Sequence, residues 1–275
     1  MKAAYLDALP IAGGTDVMVE INFDRQRPAV VIDLTKVTEL EEWGTDAGML
    51  RVGAGVSYTR IIDELGARLP GLAMASRTVG SPQIRNRGTV GGNLGSASPA
   101  GDAHPPLLAS GALVELASVR GTRRIPVSDF YVGPKRNAAR KDELIAAVLV
   151  EPARGPQQFS KVGTRNAMVI AVCSFALALD VGRRRVGTGI GSAGPTPLRA
   201  TAAEAFITGA LDEGGLWERP DDVDPKVVAR FGELVAAAAR PIDDVRGTAA
   251  YRRHALAVLA RRTFTWAWDE HRRSA

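Results

Sequence analysis

The sequence predicts an α+β fold in two parts, and three observations carry that prediction. The first half is rich in glycine and β-branched residues; roughly the last 80 residues are alanine-rich with helical spacing. Between them, Glu151-Pro-Ala-Arg-Gly-Pro-Gln-Gln158 sets two prolines and a glycine directly after a strand-like run, Leu144 to Val150. At about 150 residues per domain, a chain of 275 residues holds one large or two modest domains. The boundary is placed so that residues 1–153 and 154–275 fold as separate domains.

In the N-terminal part, Ala29 to Leu34 reads as a buried strand and Met49 to Val52 as a second. Ser57 caps a short helix that turns Ile61, Ile62 and Leu65 inward and stops at Gly66. A long glycine-rich stretch, Thr78 to Gly101, is followed by a strand at Leu113 to Ala117, a turn at Arg120-Gly121 and a return through Ile125. Such consecutive strands joined by short turns pair antiparallel.

In the C-terminal part, Val169 to Asp180 and Arg185 to Ser192 form a hairpin about Val181-Gly182. Three helices follow. Thr201 and Glu204 have the spacing of a capping box. Asp224-Pro225 opens the second helix, whose inner face carries Val227, Val228, Phe231, Leu234, Val235 and Ala238. The third starts near Thr248 and buries Tyr251, Ala255, Val258 and Leu259.

Composition excludes several classes. Hydrophobic residues at 45% and charged residues at 24% describe a globular protein. The longest near-apolar run, Ala167 to Leu179, falls short of the roughly 20 residues a bilayer-spanning helix needs, so no membrane span is expected. Asp7 and Pro10 interrupt any apolar core behind Lys2, so a secretory leader is not expected and the protein reads as cytoplasmic. One cysteine, Cys173, excludes an intrachain disulfide, a zinc ribbon and an iron–sulfur cluster held by four thiolates of this chain. His104, His254 and His271 lack ligand spacing, so no metal site is expected. The net charge is +5 and the pI near 9.6, yet the basic residues are scattered without interleaved aromatics, which argues against nucleic acid. Only six of the 35 basic residues are lysine, a balance that suits an arginine-favouring proteome or an acidic protein partner.

Gly189-Ile-Gly-Ser-Ala-Gly194 matches GxGxxG after a strand, but Pro195 and Pro197 forbid the helix that a dinucleotide fold requires there. A glycine-lined strand end is the better reading. Gly53-Ala-Gly55 fails likewise, with Tyr58 where the third glycine belongs. Two other segments combine glycine with small polar residues. In Ala12-Gly13-Gly14-Thr15-Asp16, successive backbone N–H groups can form an anion-binding nest beside the Thr15 hydroxyl. In Thr89-Val90-Gly91-Gly92-Asn93, two glycines admit close approach, Thr89 and Asn93 can donate to phosphate oxygens, and Asp102 further on can accept from sugar hydroxyls. A pair of ordinary polar turns is the alternative.

These segments, with Gln83-Ile-Arg-Asn-Arg-Gly88 before the second and Ser98-Pro-Ala-Gly-Asp102 after it, resemble the FAD-binding subunit or domain of the molybdenum hydroxylases, the xanthine dehydrogenase and aerobic carbon monoxide dehydrogenase family. Phe159-Ser-Lys-Val-Gly-Thr-Arg-Asn166, Gly194-Pro-Thr-Pro-Leu-Arg199 and Asp244-Val-Arg-Gly-Thr-Ala-Ala-Tyr-Arg-Arg253 are similar to that family's C-terminal domain. The resemblance covers nearly the whole chain. It implies a two-subdomain FAD-binding domain, with a small βαβ-like part and a mainly antiparallel sheet. A C-terminal domain of antiparallel strands and a three-helix bundle follows.

The resemblance also implies site residues. Pro10, Ile11, Ala12, Gly13, Gly14, Thr15, Asp16 and Val17 form the first loop on the FAD pyrophosphate. Thr89, Gly91, Gly92 and Asn93 form the second, with Asp102 toward the sugar and ribityl part. Ile145 supplies a main-chain contact, Val79 an aliphatic contact where animal relatives carry an aromatic, and Lys161 an ammonium beside the isoalloxazine, where an exposed lysine is the alternative. Such an ammonium favours the anionic reduced flavin. No catalytic or metal-ligating residue is implied. The first glycine segment begins as early as Ala12, so the opening βαβ unit is expected to be short.

The function implied is an electron-transfer flavoprotein subunit. It takes electrons from [2Fe–2S] clusters on a small partner subunit, beside a large molybdopterin subunit, and passes them to NAD, quinone or oxygen. A dimer of heterotrimers is implied as the assembly. The single cysteine argues against the subtype with an added [4Fe–4S] cluster. A scaffold subunit with a degenerate flavin site is the alternative.

Overall fold

The structure, a computed structural model, describes residues 2–274. Near the N-terminus β1 (Leu9–Ile11) and β2 (Val31–Asp33) pair in parallel across α1 (Val17–Asn22), the expected small βαβ-like unit. The strand expected from Ala29 to Leu34 is shorter, and it is not buried throughout. Alternation along it puts only Ile32 on the covered face and leaves Val31 and Asp33 to solvent.

The rest of this half is one antiparallel sheet with helices across it. In chain order come β3 (Trp43–Asp46), β4 (Met49–Gly53), α2 (Tyr58–Leu65), α3 (Pro70–Arg77), α4 (Pro82–Arg87), α5 (Val90–Ser96) and α6 (His104–Ala109). Then follow β5 (Leu113–Ser118), β6 (Gly121–Pro126), α7 (Val127–Phe130), the ribbon β7 (Tyr131–Gly133) and β8 (Arg136–Asn137), and β9 (Leu144–Val150). The sheet order is β3-β4-β9-β5-β6, every pair antiparallel. Ser57 caps α2 by accepting from the Arg60 amide at 3.3 Å; Ile61 and Leu65 are buried as expected, and Ile62 half-buried.

The glycine-rich stretch is more ordered than turns alone. Ser81 caps α4 and Thr89 caps α5, and Pro82 stands in the first turn of α4. The hydrophobic core of this half runs from Leu50 to Val150.

The second half begins with β10 (Gln157–Val162), β11 (Cys173–Asp180) and β12 (Arg185–Gly191), an antiparallel sheet in that order. The predicted hairpin turns where expected, but its first strand starts at Cys173; residues 163–172 form a loop. Helices α8 (Thr201–Glu213), α9 (Pro225–Ala238) and α10 (Ala249–Ser274) cover the sheet. Phe175, Phe231, Phe264 and Trp268 form a run of ring contacts with centroids 5.5–6.3 Å apart.

Two expectations in this half are corrected. Thr201 and Glu204 do not form a capping box, because the Glu204 carboxylate is buried and accepts from the Thr188 amide and hydroxyl, both at 2.8 Å, and from Arg199. Tyr251 is half exposed, and the buried residue beside it is Arg252. The GxGxxG run lies in β12 and the turn after it. A Cβ at Gly187 or Gly189 would collide with the α6 carbonyls of Ala109 and Pro105, so these glycines let α6 lie directly on β12.

Candidate functional site: a cleft between the glycine segments

A cleft of about 1770 Å3 runs between the βαβ unit, the α4–α5 face and the C-terminal part. Ligand pockets typically fall near 300–1,000 Å3, so this one suits an extended ligand. Both glycine segments line it. Their meeting is direct: a Cβ at Gly13 would collide with the Arg87 carbonyl and stand 3.0 Å from the Gly88 nitrogen, so the first loop rests on the residues leading into α5.

Of the first segment, Pro10, Ala12, Gly13, Gly14, Thr15, Asp16 and Val17 line the cleft. Ile11 lies behind, its side chain under Gly14. Gly14 has φ +75°, the left-handed region that glycine enters without strain. Among the described residues, the amides from Gly13 to Val17 meet no protein acceptor, whereas the Met18 amide already bonds the Gly14 carbonyl. A run of free backbone donors of this kind can hold an anion.

The second segment works differently from the expectation. Its leading amides are already used: Val90 donates to the Val56 carbonyl, Gly91 to the Ala54 carbonyl at 2.9 Å and Gly92 to the Thr89 hydroxyl at 2.9 Å. The two glycines also divide. Gly91 is filled by protein, since a Cβ there would stand 2.6 Å from the Ala54 carbonyl oxygen. Gly92 faces outward, and a Cβ there would meet only the Thr89 hydroxyl, at 3.1 Å. This segment therefore offers an open surface and side chains rather than free amides.

Thr89, Asn93, Val79, Asp102 and Ile145 line the same cleft. The Asn93 Oδ1, the Asp102 Oδ1 and the Tyr58 hydroxyl are buried there without a hydrogen-bond partner, a state that native structures rarely leave uncompensated. Lys161 is not exposed. Its ammonium lies behind Asp102, donating to that carboxylate at 2.6 Å and to the Thr78 carbonyl at 3.2 Å, with 7% of the side chain accessible. Burial pushes the Asp102 carboxyl up to about 6, against the downward pull of Lys161. Cations outnumber carboxylates in the lining, and Lys36, Arg87 and Arg140 make no ion pair among the described residues.

Sequence reasoning missed other parts of the wall. Tyr58 stands at the cleft floor, and its hydroxyl is held well above its usual range by burial and by the Asp102 and Asp16 carboxylates. Outside the lining, His104, held down to about 3 by burial, pairs its Nδ1 with the Tyr131 hydroxyl at 2.7 Å. On the C-terminal side the wall includes Met168, Ile170, Ser192, Asp244 and Arg252. The one available signal for the last two was the Asp244 to Arg253 motif.

Comparison with known proteins fits this geometry. Residues 1–152 match the family described as "FAD binding domain in molybdopterin dehydrogenase", and residues 158–267 match the "CO dehydrogenase flavoprotein C-terminal domain". The chain is 37% identical over 219 residues to the nicotinate dehydrogenase FAD-subunit of Eubacterium barkeri, covering 75% of this chain and 74% of that protein. It is 33% identical over 270 residues to the nicotine 6-hydroxylase medium subunit of Paenarthrobacter nicotinovorans, covering 94% and 88%. The solved structure of the reconstituted CO dehydrogenase from Oligotropha carboxidovorans superposes with a TM-score of 0.86 at 26% identity, covering 98% of this chain and 94% of that one. A chain with this cleft and these relatives belongs to the FAD-binding medium subunits of the molybdenum hydroxylases, the xanthine dehydrogenase and CO dehydrogenase family of oxidoreductases.

Proposed function

We propose that the chain holds FAD in this cleft and passes electrons through it. They come from [2Fe–2S] clusters of a small partner subunit, served by a molybdopterin-bearing large subunit, and go to an external acceptor such as NAD, quinone or oxygen. Residues 1–153 are the FAD-binding domain in this reading, and residues 154–275 close the cleft from the other side. Two such heterotrimers make the assembly, in the cytoplasm; no helix among the described residues is long and apolar enough to cross a membrane. When bound, FAD supplies a carrier that accepts and releases electrons singly or in pairs.

The residues present fit that group. The observation that carries the reading is that the free amides from Gly13 to Val17 and the exposed Gly92 line one cleft rich in cations. The amides take the diphosphate oxygens, and the absent side chain at Gly92 lets the ligand approach the α5 backbone. The Thr89 hydroxyl and the Asn93 carboxamide donate from the side. Asp102 accepts from a hydroxyl of the sugar or ribityl chain, Ile145 gives a main-chain contact, and Val79 packs against the ring. Lys161 acts from behind Asp102; the two together carry no net charge while Asp102 is ionised, so the ammonium tunes the site through that pair.

The test is reconstitution of the purified chain with FAD. Near-stoichiometric retention, with an absorption band at roughly 450 nm that belongs to the flavin, supports the reading. A chain that folds but keeps no flavin after reconstitution overturns it.

A further inference from the structure

Arg252 lies in the first turn of α10, and only 3% of its surface is exposed. Its Nη1 donates to the Val172 carbonyl at 2.8 Å and to the Ser192 carbonyl at 2.6 Å, and its Nη2 to the Asp244 carboxylate at 2.6 Å. Those acceptors lie in three separate segments: the end of the 163–172 loop, the turn after β12, and the loop before α10. Ser192 continues the chain of contacts. Its amide donates to the Pro99 carbonyl at 2.8 Å and its hydroxyl to the Ala171 carbonyl at 2.6 Å. Pro99 belongs to the Ser98 to Asp102 turn, so the guanidinium is two hydrogen bonds away from the segment that carries Asp102. Ser192 itself has φ +58°, a conformation an L residue keeps only where its surroundings impose it.

We propose that Arg252 is a positioning residue for the cleft: it clamps Val172, Ser192 and Asp244 into one wall and, through the Ser192 amide on Pro99, seats the turn bearing Asp102 at the cleft floor. The planar fork suits this task, because one guanidinium satisfies two carbonyls and a carboxylate in fixed directions, which a single ammonium cannot do. The part of the proposal that concerns ligand retention rests on the FAD reading above; the clamp itself does not.

The test uses the full chain with Arg252→Met, Arg252→Lys and Asp244→Asn. Amide exchange is read at Ser192, in residues 244–248 and in β11, and FAD dissociation is read after reconstitution. In Arg252→Met, exchange at Ser192 and in 244–248 accelerates while β11 stays protected, and FAD leaves about tenfold faster or more. Arg252→Lys falls between, since its ammonium keeps the Asp244 pairing without holding both carbonyls. If Arg252→Met loses β11 protection as well, the chain has unfolded, and Asp244→Asn decides: it removes the carboxylate from an exposed loop and accelerates the same amides by a smaller factor. Wild-type exchange at Ser192 in Asp244→Asn and in any folded Arg252 variant overturns the clamp. Faster exchange at Ser192 with unchanged FAD dissociation overturns its link to the cleft. A wild-type chain that retains no FAD defeats the cofactor reading alone, because the exchange results stand without it.

Discussion

Replacing Gly91 and Gly92 separately by alanine is expected to move stability in opposite directions. At Gly91 a methyl group would stand 2.6 Å from the Ala54 carbonyl oxygen and closer still to the Ala54 side chain. Either α5 or the segment after β4 must shift, at about 1–3 kcal/mol for overpacking. The shift also strains the Gly91 amide bond to the Ala54 carbonyl, worth about 1 kcal/mol. At Gly92 the same methyl group meets only the Thr89 hydroxyl at 3.1 Å, which must yield by a few tenths of an ångström. Against that small strain stands the gain of about 0.5–1 kcal/mol for alanine over glycine in a helix, so the net change is between zero and about 1 kcal/mol of stabilisation. Flavin binding follows the other logic. The Gly92 methyl group occupies the surface the diphosphate is proposed to approach, and Gly92→Ala should weaken FAD by tenfold or more, about 1.4 kcal/mol; Gly92→Val should abolish retention while the helical C-terminal half stays folded. Urea unfolding and fluorescence titration with FAD read the two effects independently. Wild-type FAD affinity in Gly92→Ala would refute the assignment of the α5 surface, whatever its stability.

Three other expectations follow from the pair at the cleft floor and from the core. Burial raises the Asp102 carboxyl from 3.8 to about 6, so the folded chain binds this proton more tightly than the unfolded one. This group therefore favours folding increasingly as pH falls from about 6 toward 4, and above that window its buried charge is a constant cost. Relative to Asp102→Asn, wild type should gain roughly 1–3 kcal/mol between about pH 7 and pH 4.5, read by urea unfolding, and a difference independent of pH would exclude it. Lys161→Ala removes the partner that lowers Asp102, so the lone carboxyl keeps its proton to higher pH. The flavin potential should stay near the wild-type value just above pH 6, where the ionised wild-type pair and the protonated lone carboxyl are both neutral, and drop by on the order of 30 mV once Asp102 ionises in mild alkali; equal potentials throughout, by spectroelectrochemistry, would remove the electrostatic role. Cys173 is fully buried, with its thiol pushed up to about 12 by burial. It should resist a thiol reagent in the native chain and react at once in denaturant, and fast native labelling would contradict its placement in β11.

What was legible in the sequence was local. The Ser57 cap, the Asp224-Pro225 helix start and the β11–β12 turn each depend on residues a few positions apart, and each is present. What was not legible depends on partners far away in the chain. Thr201 and Glu204 have capping-box spacing, yet Glu204 is drawn off by Thr188 and Arg199. Helical periodicity picks Tyr251 for the core because it is apolar, yet Arg252 is buried, since residues 172, 192 and 244 arrive with the acceptors its guanidinium needs. The resemblance puts the Lys161 ammonium beside the isoalloxazine, with an exposed lysine as the alternative; that β10 buries it behind Asp102 needed the fold.

The glycines make the same distinction at the site itself. Gly91, Gly187 and Gly189 are small because other protein backbone lies where a side chain would be, and Gly13 is small because the two halves of the cleft touch there. At Gly92 no backbone stands in the way, and a Cβ would meet only the Thr89 hydroxyl, at 3.1 Å. All five look alike in a one-letter string, and a motif search ranks Gly189 to Gly194 above the rest because it fits a familiar spacing. Packing reverses that ranking. A glycine held against carbonyl oxygens serves the fold and tolerates no methyl group with or without ligand, whereas a glycine beside open space costs the helix stability that nothing in the protein repays. On the FAD reading proposed above, the ligand that approaches α5 accounts for that cost at Gly92, which lines the cleft, whereas Gly209 in α8 is as unobstructed and lies outside it, so open space counts only together with the cleft.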